Sequence, residues 1–363
     1  MKLRKLQLEN FRNYNRHEYE FPEDKKITIL VGPNGKGKTN FLEAIYVLSL
    51  GKSFRTILQD DLIEWKFEYM RCKCKTEIDG EETSLEVFYS NYPRKQKGFK
   101  KNDVSMKNSE YIGNLITVLF HPEDLNMLYL SPSYRRKYLN ILLSQVDKKY
   151  LEALSKYKKT LKQRNALLHA IREAKFTNKP MDNLEKDLNA WDTEIMEFGS
   201  MIIKKRVEFT QFLNKNLEKI YQSISSGKEK VEIKYHTIKG EYEAELIVRR
   251  NRDIREAKTT LGPHRDDLKF FIDNKEILSS ASRGEFRTLL LAIKLAEIKF
   301  IKEKTGRNPI LLLDDVFSEL DRKRGEHLLK SIKDCQTIIT TTDRKSFEKL
   351  DKEGENLRFV KIG

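Results

Sequence analysis

Gly32-Pro33-Asn34-Gly35-Lys36-Gly37-Lys38-Thr39 is the stretch on which the reading of this chain turns. It meets the pattern G-x-x-x-x-G-K-[ST] at every fixed position. The run Lys26-Ile27-Thr28-Ile29-Leu30-Val31 before it reads as a buried strand, and Asn40 to Leu48 after it reads as a helix. Strand, glycine-rich turn and helix in that order form a phosphate cradle. The glycines let backbone N–H groups turn inward onto phosphate oxygens, and the helix N-terminus adds roughly half a positive charge there. Lys38 is placed to reach the terminal phosphates, and Thr39 to hold Mg2+ through its hydroxyl. The expected ligand is a nucleoside triphosphate, held by residues 32–39 with Asn40 at the helix start. The loop alone does not say what the energy is for.

A phosphate loop needs an acid for its metal. Ile310-Leu311-Leu312-Leu313-Asp314-Asp315 supplies two at the end of a four-residue apolar strand. Asp314 can reach Mg2+ directly or through water, and Asp315 is placed to orient or deprotonate an attacking water. Ser318-Glu319-Leu320-Asp321 follows. Upstream, Ala281-Ser282-Arg283-Gly284-Glu285 opens a helix, with an ordinary N-cap as the plainer reading. In order, the chain shows a phosphate loop, a Ser-x-Gly helix start, an acid-ended strand and Ser-x-Leu-Asp. That order resembles the ABC-type ATPases. In that class the Ser-x-Gly signature completes the site of a second subunit, so two heads sandwich two ATP molecules.

Ser282 lies 243 positions after Thr39, far more than in a transporter nucleotide-binding domain. The interval is filled by helical pattern. Ser131-Pro132 is a helix start, with Ser as N-cap and Pro at the first helical position. Tyr150, Leu154, Tyr157, Leu161, Leu168 and Ile171 form one apolar stripe; Leu184, Leu188, Trp191, Ile195, Phe198 and Ile202 form a second at heptad spacing. Thr177-Asn178-Lys179-Pro180 separates them, which predicts an antiparallel helical hairpin. At about thirty residues per helix it reaches ~45 Å.

Around this insertion the pattern is mixed α/β. Strands are expected at Lys2–Leu8, His17–Phe21, Met70–Ile78, Ser84–Tyr89 and Leu115–Phe120. Further strands are expected at Lys230–Tyr235, Glu243–Arg249, Leu268–Ile272 (turning at Asp273-Asn274) and Gln336–Thr341. The basic stretch Arg94 to Lys101 reads as a hairpin tip. The predicted architecture is an α/β ABC-type head, residues 1–121 plus 258–363, with a mostly helical insertion at 122–257.

The 363 residues carry 70 Lys and Arg against 55 Asp and Glu, a net charge of +15. Such a balance suits a protein that meets a polyanion; a lysine-rich surface is the plainer account. No apolar run approaches ~18 residues, so no membrane span is expected. The alternating N-terminus, Met1 to Leu8, lacks the apolar core of a signal peptide, so the expected location is cytoplasmic. The three cysteines, Cys72, Cys74 and Cys335, lack zinc-ligand spacing and read as free thiols.

The whole pattern resembles the RecF family of recombination mediators, SMC-like ATPases with a very short arm. The matching stretches are Leu8-Glu9-Asn10-Phe11-Arg12-Asn13-Tyr14, the phosphate loop, Gly51-Lys52-Ser53-Phe54-Arg55-Thr56 and His121-Pro122-Glu123-Asp124-Leu125. Ser131-Pro132 with Arg135-Arg136, Gly262-Pro263-His264-Arg265-Asp266-Asp267, and the two C-terminal motifs above complete the set. The resemblance implies Arg12 and Asn13 near the base or α-phosphate, and Arg55 near the γ-phosphate. It implies Ser282 and Gly284 on the ATP of a partner subunit, Asp314 on the metal, Asp315 on the water and Asp321 at the dimer seam. Lys38 joins Asp315 as a catalytic group. Two departures stand out. Asp315 replaces the longer Glu common outside the family, which implies slow turnover. Thr340-Thr341-Thr342-Asp343 stands where most ABC ATPases carry a switch His. No Gln falls at the head–arm joint, where Glu123 is the nearest polar residue.

Three functional readings follow. The first is an ATP-dependent, homodimeric clamp on duplex DNA near single-strand junctions, with slow DNA-stimulated hydrolysis, acting in DNA repair and replication. Lys95, Lys97, Lys100, Lys101, Arg135 and Arg136 are its expected DNA contacts. By resemblance it recruits RecR and helps load RecA. The second is a switch whose hydrolysis only resets it. The third, a transporter ATPase, is opposed by the insertion. For His264, Arg265, Asp266 and Asp267, a ligand contact and a structural ion-pair turn remain equal alternatives.

Overall fold

The computed structural model describes residues 1–177, 182–238, 240–344, 347 and 357–362. The chain starts with strands β1 (Lys2–Phe11), β2 (Tyr14–Glu20) and β3 (Ile27–Val31), then helix α1 (Lys38–Leu50). Strands β4 (Tyr69–Ile78), β5 (Glu81–Ser90), β6 (Gln96–Lys101) and β7 (Val104–Met106) precede α2 (Asn108–Tyr111) and β8 (Thr117–Phe120). Helices α3 (Asn126–Tyr129), α4 (Pro132–Val146), α5 (Lys148–Phe176) and α6 (Asp182–Ser225) follow, then β9 (Val231–His236) and α7 (Tyr242–Glu256). After β10 (Asp267–Ile272), β11 (Lys275–Glu276) and α8 (Ile277–Ser280) come α9 (Arg283–Thr305) and β12 (Ile310–Asp314). The chain ends with α10 (Val316–Glu319), α11 (Arg322–Ile332), β13 (Thr337–Thr341) and β14 (Leu357–Lys361).

Two units emerge: a head of residues 1–125, 223–226 and 287–363, and an arm of residues 126–222 and 227–286. This moves a predicted boundary. Residues 258–286, expected in the head, group with the arm, where β10 hydrogen-bonds to β9 along its whole length.

The head holds an antiparallel sheet, β2-β1-β4-β5-β6-β7, and a parallel sheet, β14-β3-β13-β12-β8. Phe41, Leu42, Ala44, Ile45, Val47 and Leu48 of α1 are all fully buried, and α1 packs on strands of both sheets. The strands of the parallel sheet read as continuous apolar runs because both faces are covered. Ile29, Leu30, Leu311, Leu312, Ile338 and Ile339 are fully buried. The register sets Leu30, Thr340 and Asp314 in one row, so the phosphate loop and the acids leave the same edge of the sheet. Open α/β sheets bind ligands at these carboxyl ends. The basic stretch is only partly a hairpin tip: Asn91 to Lys95 make the turn, and Gln96–Lys101 is strand β6.

In the arm, α5 and α6 run antiparallel. Thr160 Oγ1 bonds Glu194 (2.8 Å), Arg164 Nε bonds Asp192 (2.7 Å) and Arg206 Nε bonds the Tyr150 hydroxyl (3.1 Å). Both predicted stripes face inward, with Leu161, Leu184 and Trp191 only half-buried. Of the predicted break between them, residues 178–180 lie outside the described residues. The strand predicted at Glu243–Arg249 is instead part of helix α7. Leu246-Ile247-Val248 looks strand-like, yet Ile247 and Val248 are exposed, while Tyr242, Leu246, Asp253 and Ile254 line one buried face at helical spacing.

Candidate nucleotide-binding site

Backbone geometry explains the glycines of the loop. Gly37 has φ 102°, and a Cβ there would lie 2.6 Å from the Asn13 side chain; at Gly32 it would lie 2.1 Å from the Ile362 carbonyl oxygen. Both positions therefore exclude larger residues. Gly32 N–H donates to the Thr341 carbonyl (3.3 Å), tying the loop to β13. Lys38 is buried, and its ammonium folds back on the loop, donating to the carbonyls of Gly32 (2.7 Å) and Pro33 (2.9 Å).

Thr39 Oγ1 donates to Asp314 Oδ1 (2.9 Å), which also accepts from Thr340 Oγ1 (2.8 Å). His121 Nε2 lies 3.6 Å from Asp314 Oδ2, and its Nδ1 accepts the Glu123 N–H (3.2 Å), which leaves the proton on Nε2 in the neutral ring. His121, immediately after β8, is thus the polar side chain at the acid; Glu123, the sequence candidate, is exposed. Asp315 follows with φ 50°, its N–H held by Thr340 Oγ1 (2.9 Å).

Glu43 anchors a cluster that the motifs do not flag. Its carboxylate is fully buried on α1 and takes Arg12 through Nε (2.9 Å) and Nη2 (2.7 Å), with Ser53 Oγ also donating. Arg55 Nη1 lies 3.6 Å from Glu43 and donates to Asn40 Oδ1 (2.7 Å). Asn40 Nδ2 in turn donates to Asn13 Oδ1 (2.8 Å), and Asn13 Nδ2 to the Lys36 carbonyl (3.4 Å). The motif residues Arg12, Asn13, Asn40 and Arg55 are therefore one network beside the loop. They line a cleft of about 750 Å³ together with Trp65 and Lys66. Trp65 is 90% exposed, an aromatic face in open solvent that sequence reading passed over.

The residues present suit a triphosphate and a hard cation. Glycine-only turns lead into a long helix N-terminus, with one ammonium and a hydroxyl paired to a carboxylate. Mg2+ prefers such oxygen donors and completes its shell with phosphate and water. No cluster of three or more His, Cys, Asp or Glu ligands exists among the described residues.

The signature residues lie in the arm unit. Ser282 N–H donates to Glu285 Oε2 (2.6 Å) and Ser282 Oγ accepts the Glu285 N–H (3.3 Å), a capping box. Ser282 is exposed and Gly284 half-buried beside it. Asp321, in the head, caps α11 through the Arg324 N–H (2.9 Å), which with the Arg324 charge holds its carboxyl below the usual range.

The basic candidates divide. Arg135 is a correction: it is buried, paired with Asp267 through Nε (2.6 Å) and Nη2 (3.0 Å), and its Nη1 bonds the Met127 and Leu130 carbonyls. Four of its five donors are used, and no phosphate can reach it. Arg136 is half-buried with Nη1 on the Asp266 carbonyl (2.9 Å). Lys97 turns its ammonium onto the Gly51 carbonyl. Lys95 pairs with Asp60 (2.6 Å), Lys100 with Glu86 (3.3 Å), and Lys101 donates to Asn114 (3.0 Å). Of these, Lys95–Asp60 is an exposed pair, weak and readily exchanged, whereas Glu86 is buried. In the Gly262–Asp267 turn, His264, Asp266 and Asp267 make structural contacts. His264 bonds Tyr157 (2.7 Å) and the Thr259 carbonyl (3.1 Å), Asp266 takes the Tyr235 hydroxyl, and only Arg265 is exposed.

Among the described residues no helix is long and apolar enough to cross a membrane. The RecF/RecN/SMC N-terminal domain family matches residues 2–358. A protein named DNA replication and repair protein RecF from Agathobacter rectalis is 39% identical, over 96% of this chain and 94% of its own. Its namesake in Bacillus subtilis is 37% identical over 94% and 93%. A solved structure of the recombination mediator protein RecF with ATP, in the RecFOR pathway, superposes with a TM-score of 0.85 at 34% identity, covering 94% of this chain and 92% of that one. An Smc head domain of Pyrococcus furiosus shares the fold alone, with a TM-score of 0.55 at 18% identity, over 100% of this chain and 94% of that one. Matched over nearly its whole length by the domain family and by these relatives, the chain belongs to the RecF family of ATP-binding, SMC-like proteins.

Proposed function

We propose that this chain is an ATP-dependent DNA clamp of replication and recombinational repair. ATP closes a homodimer on duplex DNA near single-strand junctions, and slow, DNA-stimulated hydrolysis releases it. The observation that carries this is the row Leu30–Thr340–Asp314, which sets phosphate loop and acids at one sheet edge.

Residues 32–39 and the N-terminus of α1 bind the triphosphate. Lys38 leaves its carbonyl partners for the β- and γ-phosphates. Thr39 and Asp314 would hold Mg2+, which would supply charge neutralisation on the phosphates. Asp315 orients the water and takes its proton. The base stacks on Trp65 in the cleft beside Arg12 and Asn13, and Arg55 reports the γ-phosphate. Ser282 and Gly284 of one copy meet the ATP of the other, and Asp321 lies at the seam. Lys95, Lys100, Lys101 and Arg136 exchange their present partners for phosphodiesters. RecR and RecA loading come to this chain from the family, and RecR is its expected partner.

Sedimentation with and without ATP and duplex DNA tests the reading. ATP should produce a dimer, and the dimer should bind DNA with an affinity that falls ~10³-fold or more between 50 and 200 mM salt. A monomer under all conditions, or a flat salt response, defeats the clamp. The switch reading keeps one point in its favour, the short Asp315 side chain. Asp315→Asn separates the two: a pure switch keeps its ATP dimer on DNA and still recruits RecR.

A further inference from the structure

Where most ABC ATPases carry a switch His, this chain has Thr340-Thr341-Thr342-Asp343. The structure shows what the first of these does. Thr340 is 1% exposed at the end of β13, the strand between the phosphate-loop strand and the acid strand. Its hydroxyl donates to Asp314 Oδ1 (2.8 Å) and accepts the N–H of Asp315 (2.9 Å). One oxygen thus joins the metal-side acid to the peptide of the water-side acid. The joint holds an uncommon turn, since Asp315 sits at φ 50°, ψ 27°, a left-handed backbone that Asp adopts more readily than most residues with a Cβ but still needs holding in place. The neighbouring Thr341 carbonyl accepts the Gly32 N–H (3.3 Å), so the end of β13 touches both halves of the site.

We propose that Thr340 is a positioning residue for hydrolysis, its hydroxyl pinning the Asp315 backbone in the left-handed turn and so aiming the Asp315 carboxylate. The inference rests on the ATPase reading above. Asp has one methylene fewer than Glu, so the reach of its carboxylate depends directly on where the backbone is held. Releasing the Asp315 N–H lets the turn relax toward ordinary geometry and carries the carboxylate away from the water. Phosphate binding persists, because Lys38 and the loop keep their own contacts, and Asp314 loses one hydrogen bond but keeps that from Thr39.

Thr340→Val keeps the β-branched shape and removes the hydroxyl; Thr340→Ser keeps the hydroxyl. Two readouts apply. In the nucleotide-free protein, amide hydrogen exchange at Asp315 should speed up roughly 10-fold or more in T340V and return to the parent rate in T340S. In steady-state kinetics, T340V should lower kcat roughly 10-fold or more with KM and ATP affinity within about 3-fold, and T340S should recover most of it. Parent-like exchange at Asp315 in T340V overturns the proposal, as does T340S being as defective as T340V. If T340V does not fold, Thr340→Cys, close in size but with a weak sulfhydryl, carries the same two measurements. Should the parent chain show no ATP turnover, the ATPase reading fails, while exchange at Asp315 still decides whether Thr340 pins the turn.

Discussion

The Lys97 ammonium sits where a helix ends. Its acceptor, the Gly51 carbonyl, belongs to the C-cap of α1, and the Phe99 ring lies 5.6 Å away. The negative end of the helix dipole favours the cation, but burial, with Lys52 adding repulsion, pushes its pKa down to about 8. The unfolded chain still binds this proton between pH 8 and ~10.5, so stability from this site rises across that window. The expected outcome is selective acylation: Lys97 should label with a midpoint near pH 8, well below the other lysines, as read by peptide mass spectrometry. Lys97 is exposed along β6 while its ammonium bends onto Gly51, so a charge run does not by itself say where each amine points. Arg135 makes the same point. Arg135→Ala should cost about 3 kcal/mol or more of arm stability by leaving Asp267 without its partner, measured by chemical denaturation. It should leave the salt slope of DNA binding unchanged.

At the scale of elements, the arm is held by polar side chains as much as by its stripes. Arg164 is fully buried between Asp192 of α6 (2.7 Å) and Asp253 of α7 (2.7 Å), and Thr259 Oγ1 accepts from it as well. His264 links the turn before β10 to Tyr157 of α5, and burial pushes its pKa down to about 4. Arg265 and Arg136 add repulsion, and Asp253 opposes it. The ring is therefore neutral in the folded arm, with Nε2–H on the Thr259 carbonyl and Nδ1 accepting from Tyr157. An unfolded His protonates near pH 6.5. Stability from this site is thus full above 6.5 and is lost as pH falls toward 4. His264→Gln, which keeps two polar ends without titrating there, should flatten the denaturation midpoint over that range. An unchanged acid slope would show that other groups carry it.

At the scale of the whole molecule, the proposed clamp draws half of its nucleotide site from another copy, and this can be tested directly. Ser282→Arg should abolish ATP-induced dimerisation while monomer ATP affinity stays within about 3-fold, read by light scattering and nucleotide binding. An unchanged dimer would refute the signature role of Ser282. The sequence by itself determined the α/β class, the phosphate loop, the acid-ended strand and the heptad stripes. Each is a local pattern of residue types at fixed spacing, and local patterns survive reading along a line. Tertiary structure alone decided that residues 258–286 pair into the arm, that Glu243–Arg249 coils instead of extending, that Arg135 turns inward and that the Lys97 ammonium folds onto Gly51. It also decided that Glu43, His121, Trp65 and Thr340 stand at the site. Those outcomes rest on partners dozens to hundreds of positions away, and a buried charge or a strand edge takes its meaning from what the fold puts beside it.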